Sequence, residues 1–184
     1  MKIALITDTH WGVRNDQLAF LDNNKKFLDD VFFPYLDSHS IDTVIHLGDL
    51  VDRRKYLNIN TAKRLRDDFI SPLRARGIRA HLIIGNHDIE LHWPGVQKTV
   101  LDALNLPEPF KGHVRFCEWF YISNGDTLFE HGNQYDAYSL CANPVHPLIK
   151  KGRRVVVRMP FGDIANKLML NGMGMLNQIG RAHV

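Results

Sequence analysis

The stretches that decide this fold are Ile3-Ala4-Leu5-Ile6 followed by Asp8-Thr9-His10, Val44-Ile45-His46-Leu47 followed by Gly48-Asp49-Leu50-Val51-Asp52-Arg53, and His81-Leu82-Ile83-Ile84 followed by Gly85-Asn86-His87-Asp88. Each opens with a short, largely apolar run rich in β-branched residues. Such runs fit buried strands of a parallel sheet. Each then breaks into a polar cluster where the strand would end. In open α/β sheets, ligand sites form at those carboxyl ends. Two Asp, two His and one Asn brought to a single rim make a mixed oxygen and nitrogen donor set, suited to a divalent metal.

The spacing sharpens that reading. Asp8 and His10 are two residues apart, so both can turn toward one ion as the strand ends. Asp49 carries two oxygens and can bridge two ions. Asn86 offers a neutral carbonyl oxygen, with the His87 imidazole beside it. Two metals about 3.5–4 Å apart suit phosphoester hydrolysis, since together they activate water and neutralise phosphoryl oxygens. Taken singly, an Asp or Asn beside Gly after a strand is ordinary turn chemistry. Three such clusters in this order, each after a strand, argue against that simpler explanation.

The three clusters resemble the calcineurin-like metallophosphoesterases, whose motifs run D-x-H, G-D-x-x-D-R, G-N-H-D/E, a single His, and G-H-x-H. The first three occur verbatim. The resemblance implies an α/β fold, a two-sheet sandwich flanked by helices (αββα), here cut short at its C-terminus. It implies a dinuclear centre with a bridging hydroxide. Asp8 and His10 would hold the first metal, Asp49 would bridge, and Asn86 would hold the second. His87 would protonate or stabilise the leaving oxygen, Asp52 would orient His87, and Arg53 would contact phosphate. The fourth motif falls at His131-Gly132, after the strand-like Thr127-Leu128-Phe129-Glu130, which makes His131 a further ligand to the second metal. The cofactors implied are two divalent ions, manganese first, with iron or zinc as alternatives.

The last motif, G-H-x-H, has no counterpart: after His131 the sequence holds only His146 and His183. Ile179-Gly180-Arg181-Ala182-His183-Val184 reads as a translated sequencing adapter. The expectation is therefore one incomplete domain over 1–178, a natural protein that continues beyond about Gln178, and a tail, 179–184, outside the site. An inactive fragment is the alternative this leaves open.

Residues 1–88 resemble the SbcD-type nuclease subunits of phage and bacterial recombination complexes, on the strength of Asp8 to Asn15 and Gly48 to Tyr56. From Ile89 onward, including Glu130-His131-Gly132-Asn133-Gln134-Tyr135-Asp136, the likeness is to bacterial metallophosphoesterases of undefined substrate. The switch falls at Gly85-Asn86-His87-Asp88, through natural divergence or a join of two sequences. The first half thus implies DNA as the phosphoester substrate and a coiled-coil ATPase partner. Arg53, Arg54, Lys55, Lys63, Arg64 and Arg66 could track a phosphate backbone or form a solvated face. A phosphomonoesterase or small-molecule phosphodiesterase is the other enzyme reading.

Composition bounds the rest. The 184 residues, 45% of them hydrophobic, suffice for one domain with a sizeable core. A net charge of +3 does not by itself point to nucleic acid. Cys117 and Cys141 make no disulfide framework, and Asp8 interrupts the apolar N-terminus too early for a signal peptide. A cytoplasmic protein with no membrane partner is expected.

Periodicity predicts a helix over 18–36 with Leu18, Leu21, Leu28, Val31, Phe32 and Leu36 on its inner face, kinked or ended by Pro34. A second helix is predicted to be capped by Asn60 or Thr61 and to run toward Arg76. Its inner face would hold Leu65, Phe69, Ile70 and Leu73, and Gly77 would follow its end. A third is predicted over 93–104. After it, Val114-Arg115-Phe116, Phe120-Tyr121-Ile122 and Thr127 to Glu130 predict an antiparallel or mixed β layer. Its hairpin turn is Ser123-Asn124-Gly125-Asp126. The basic run Lys150-Lys151-Gly152-Arg153-Arg154 reads as solvated surface. Ile164 to Leu176, apolar and rich in Met, reads as core.

Overall fold

The computed structural model describes residues 2–52, 57–105, 113–141, 143 and 146–165. They fall into two compact units, Met1–His131 and Gly132–Val184.

The first unit is built on four parallel strands in the order β1 (Ile3–Ile6), β2 (Thr43–His46), β3 (Arg79–Ile83) and β4 (Val114–Cys117). The register pairs Ala4 with Val44, Val44 with Ala80, and Ala80 with Val114. Because side chains alternate along a strand, these four share one face. Against it pack Leu21, Leu28, Phe32, Phe33, Leu36, Leu65, Phe69, Ile70 and Leu73 from two long helices, in one continuous core. The opposite face carries the row Leu5, Ile45, His81 and Arg115. An antiparallel hairpin, β5 (Phe120–Ser123) with β6 (Thr127–Glu130), reaches this face, and its Tyr121 ring stacks on His81 at 4.3 Å. The turn is the expected one: Asn124 and Gly125 both take positive φ, and Asp126 N–H closes on the Ser123 carbonyl.

The α/β class expected from the sequence is thus what the chain adopts, with one change of pairing. Val114-Arg115-Phe116 does not open an antiparallel layer. It joins the parallel sheet beside β3, because the helix Pro94–Ala103 (α3) carries the chain back between them.

Both long helices are continuous, and both solve the same difficulty in the same way. The first (α1, 18–39) passes through a π turn, Leu28–Phe32, directly before Pro34. The second (α2, 59–75) passes through a π turn, Leu65–Ile70, directly before Pro72. Phe33 N–H reaches back to the Leu28 carbonyl and Ser71 N–H to that of Arg66, five residues rather than four. The wider turn lets the ladder resume around a ring that has no N–H to give, so Pro34 neither ends nor breaks the helix. The extra residue also rotates the face. Val31, expected inside, is 54% exposed, while Phe33 is buried; Leu18, also expected inside, is 58% exposed at the helix's first residue, ahead of the π turn. The start of α2 also differs from expectation: the cap is Asn58, whose side chain accepts the Asn60 N–H at 2.8 Å. Its inner face is as expected, with Leu65, Phe69, Ile70 and Leu73 all buried.

The second unit holds a hairpin of β7 (Leu148–Lys151) and β8 (Arg154–Val157) and a short helix, Phe161–Ala165. The basic run turns at Gly152 (φ +63°), and Lys150 to Arg154 are exposed, as a solvated surface requires. Most of the apolar stretch 164–176 and the tail 179–184 lie outside the described residues. No helix among the described residues is long and apolar enough to cross a membrane.

Candidate metal centre

The ends of β1 and β2 do not separate into independent loops. Leu47 N–H bonds the Ile6 carbonyl, Asp8 N–H that of Gly48, His10 N–H that of Asp49, and Trp11 N–H that of Leu50. The two polar clusters are therefore zipped together beyond the sheet. To make this ladder the backbone bends hard: Asp8, His10 and Asp49 sit at φ +53°, +42° and +55°. Asp and His tolerate the left-handed region better than most residues, yet holding three of them there stores strain, as functional sites often do.

Two glycines make room for the side chains. A Cβ on Gly85 would lie 2.2 Å from Asp49 Oδ1, and one on Gly48 would lie 2.6 Å from His131 Nδ1. Gly48 also sits at φ +123°, which excludes other residues on backbone grounds.

Asp49 stands at the centre, 3% exposed. Its Oδ2 lies 3.7 Å from His10 Nε2, its Oδ1 lies 3.6 Å from His131 Nε2, and Oδ1 also accepts the His87 N–H at 2.8 Å. Asp8, half exposed, places Oδ1 3.5 Å from His10 Nε2, while Thr7 donates to its other oxygen. Asn86 Oδ1 is 3.1 Å from His131 Nε2. Donor atoms of His10, Asp49 and His87 lie within 4.8 Å of one another, as do those of Asp8, Asp49 and His131. Asp49 belongs to both groups.

The tautomer of His131 can be read off its neighbours. Its Nδ1 lies 3.1 Å from the Leu47 carbonyl, which can only accept, so Nδ1 carries the proton. Nε2 then faces the Asn86 and Asp49 oxygens, and on a neutral ring it presents them a lone pair. A ring nitrogen and two oxygens so placed are donor atoms that one cation can share. Two donors about 2.1 Å from one ion, at ordinary coordination angles, stand about 3–3.5 Å apart. The 3.1 Å between Asn86 and His131 meets that demand, and the 3.6 and 3.7 Å at Asp49 lie just beyond it. Ligating histidines held by a backbone carbonyl through their second nitrogen are a recurrent feature of metal sites. The donor set therefore fits a divalent ion on either side of Asp49.

Asp52 lies between two imidazoles. Its Oδ1 is 3.3 Å from His10 Nδ1 and 3.6 Å from His87 Nδ1, the latter too long for a hydrogen bond. It thus stands nearer His10 than His87, the residue it was expected to orient. The Asp52 carboxylate is the main reason the His10 pKa is raised, with Asp49 and Asp8 adding to it against the effect of burial. His87 meets His10 edge-on, with ring centroids 4.8 Å apart. Arg53 lies outside the described residues.

Two residues that the motif reading passed over complete the frame. Asp88, 2% exposed, accepts N–H bonds from Gly85 at 2.6 Å and Leu50 at 2.7 Å, tying the third cluster to the second. Burial, then the Asp49 charge, pushes its pKa up to about 7 against those bonds. His46 is fully buried at the end of β2, and burial takes its pKa down to about 3. A histidine inside an otherwise apolar strand run was the available signal for it.

Lys63, Arg64 and Arg66 are engaged elsewhere. Lys63 pairs with Asp67 at 2.9 Å, Arg66 with Asp67 at 2.7 Å, and Arg64 with Asp68 and, at 3.0 Å, with Asp22. Beside Asp8, an open groove of about 400 Å³ is lined by Leu5, Ile6, Thr7, Thr9, Asn24, Phe27 and Leu47. A sequence profile of the calcineurin-like phosphoesterases matches residues 1–162. No curated protein matches the chain.

Proposed function

The chain belongs to the calcineurin-like phosphoesterases, and from that premise we propose a hydrolase that cleaves phosphodiesters at a centre of two divalent ions. The observation that carries the proposal is the sharing of Asp49 by two donor groups. In this reading Asp8, His10 and Asp49 hold one ion, Asp8 and Asp49 lying 3.5 Å and 3.7 Å from His10 Nε2, and Asp49, Asn86 and His131 hold the other, with Asp8 also within 4.8 Å of the Asp49 and His131 donors. Two ions there, manganese first and iron or zinc next, supply when bound Lewis-acid chemistry at the phosphoryl oxygens and lower the pKa of the attacking water. Asp49 keeps the two donor groups in one frame through the His87 N–H. The imidazole of His87, a third exposed, delivers a proton to the departing oxygen. Asp52 orients the neighbouring imidazoles, its Oδ1 3.3 Å from His10 Nδ1 and 3.6 Å from His87 Nδ1, and Arg53 takes a phosphate oxygen.

DNA is the substrate this reading favours, on the likeness of residues 1–88 to nuclease subunits, and the groove beside Asp8 is open to solvent. A coiled-coil ATPase partner and a cytoplasmic location go with the nuclease reading. The second reading, a phosphomonoesterase or small-molecule phosphodiesterase, is favoured by the pairing of Lys63, Arg64 and Arg66 with Asp side chains, which weakens that helix as a track for DNA. Comparing turnover of DNA and p-nitrophenyl phosphate across salt concentrations separates them. Only DNA turnover should fall steeply with salt. For the centre itself, Asp49→Asn is expected to lower hydrolysis of an artificial phosphodiester by at least about a thousandfold. Activity close to wild type would end the two-ion proposal.

A further inference from the structure

Thr9 is flanked by Asp8 and His10, both in left-handed backbone, so something must hold that tripeptide in place. The only side chain that reaches its hydroxyl among the described hydrogen bonds is His46. Gly48 N–H points at His46 Nδ1 at 3.3 Å, which leaves Nδ1 as acceptor and puts the ring proton on Nε2. Nε2 lies 2.9 Å from Thr9 Oγ1, so it donates there. The Thr9 hydroxyl, having accepted, can pass its own hydrogen to the Leu50 carbonyl at 3.4 Å. The direction of every bond is thereby set, from the Gly48 amide through His46 and Thr9 to Leu50. Gly48 and Leu50 are the two neighbours of Asp49. The relay therefore fastens the residue between two proposed ligands to the backbone on both sides of a third.

We propose that His46 and Thr9 are a paired positioning device for the metal centre, fixing Asp8 and His10 relative to Asp49 before an ion arrives. The inference rests on the metal-centre reading above. A relay of this kind lowers the reorganisation needed on binding, and groups that orient ligands commonly change metal affinity by about 10–100-fold.

The test is titration of the full chain with Mn²⁺, followed by loss of the free-ion electron paramagnetic resonance signal, alongside thermal melts of the metal-free protein. Thr9→Val keeps shape and removes the hydroxyl. His46→Leu removes both bonds, and His46→Gln keeps a donor near the Nε2 position. Thr9→Val and His46→Leu should each weaken Mn²⁺ binding about tenfold. The double variant should be little worse than either single one, and His46→Gln should recover most of the loss. If His46→Leu does not fold, Thr9→Val and His46→Gln still decide the matter. A lowered melting temperature with unchanged affinity in Thr9→Val would make the relay merely structural and overturn the proposal. So would strictly multiplicative losses in the double variant. A wild-type chain that takes up no Mn²⁺ would overturn the metal-centre reading and this inference with it.

Discussion

One sheet presents two very different regions. On its helix-covered face, Val44, Ala80 and Leu82 are met by Leu65, Phe69, Ile70 and Leu73 in a core with almost no exposed surface. At its carboxyl rim, a few residues away along the same strands, buried carboxylates crowd together on strained backbone. The face is held by many small, interchangeable contributions, each apolar side chain gaining about 1.5–3 kcal/mol from burial. The rim is held by a short set of directed bonds and contains groups that oppose one another. One region makes the protein stable, and the other draws on that stability to keep a cation-seeking arrangement ready.

Perturbing each region separately can break this contrast. The largest effect should come from the face: Leu73→Ala, at a fully buried site, should cost about 3 kcal/mol in urea melts and leave Mn²⁺ stoichiometry unchanged. Loss of metal uptake in the folded variant would show that the regions are not separable.

Next come two opposed pH effects within the rim. His46 has a depressed pKa, about 3 against 6.5, so its contribution is intact above pH 6.5 and is lost as pH falls, because the unfolded chain takes the proton first. Asp88 has a raised pKa, about 7 against 3.8, so its contribution is full at low pH and is lost as pH rises through 7. Measured as stability relative to wild type, His46→Gln should gain about 2 kcal/mol between pH 6.5 and 5. Asp88→Asn should lose about 2 kcal/mol between pH 7 and 5. A pair of flat difference curves would mean that neither group carries its buried pKa.

Asp49→Asn sharpens the contrast from the other side. Removing a buried charge beside Asp88 should stabilise the metal-free fold by about 1–2 kcal/mol while abolishing metal uptake. A destabilised variant would place Asp49 among the groups that hold the fold. The smallest expected effect belongs to neither region. Asn58→Ala, which deletes the cap of α2, should cost about 1 kcal/mol without touching the centre.

The same contrast explains what could be read from the sequence. β1, β2 and β3 are legible because apolar runs ending in polar clusters have few other uses. The inner face of α2 follows simple periodicity and is legible too. Asp8, His10, Asp49, Asn86, His87 and His131 announce themselves by motif, and the fold brings them to one rim. The pairing of β4 is not legible from Val114-Arg115-Phe116, since three residues say nothing of direction; the helix before it was the better guide. Val31 misleads because periodicity assumes one helical repeat, and the π turn breaks it. His46 and Asp88 are hidden for a different reason. Their importance lies in which backbone amides they meet, and those partners are set by two loops closing on each other.

The paired π turns carry a consequence for comparing this chain with its relatives. Each long helix holds one residue more than an α-helix of the same reach requires, placed just ahead of a proline. A relative with a different residue in place of Pro34 or Pro72 has no need of the wider turn. Its best alignment should then show a one-residue gap within 28–32 or 65–70. The gap and the proline should vary together, and a substitution table that scores single columns would miss the connection.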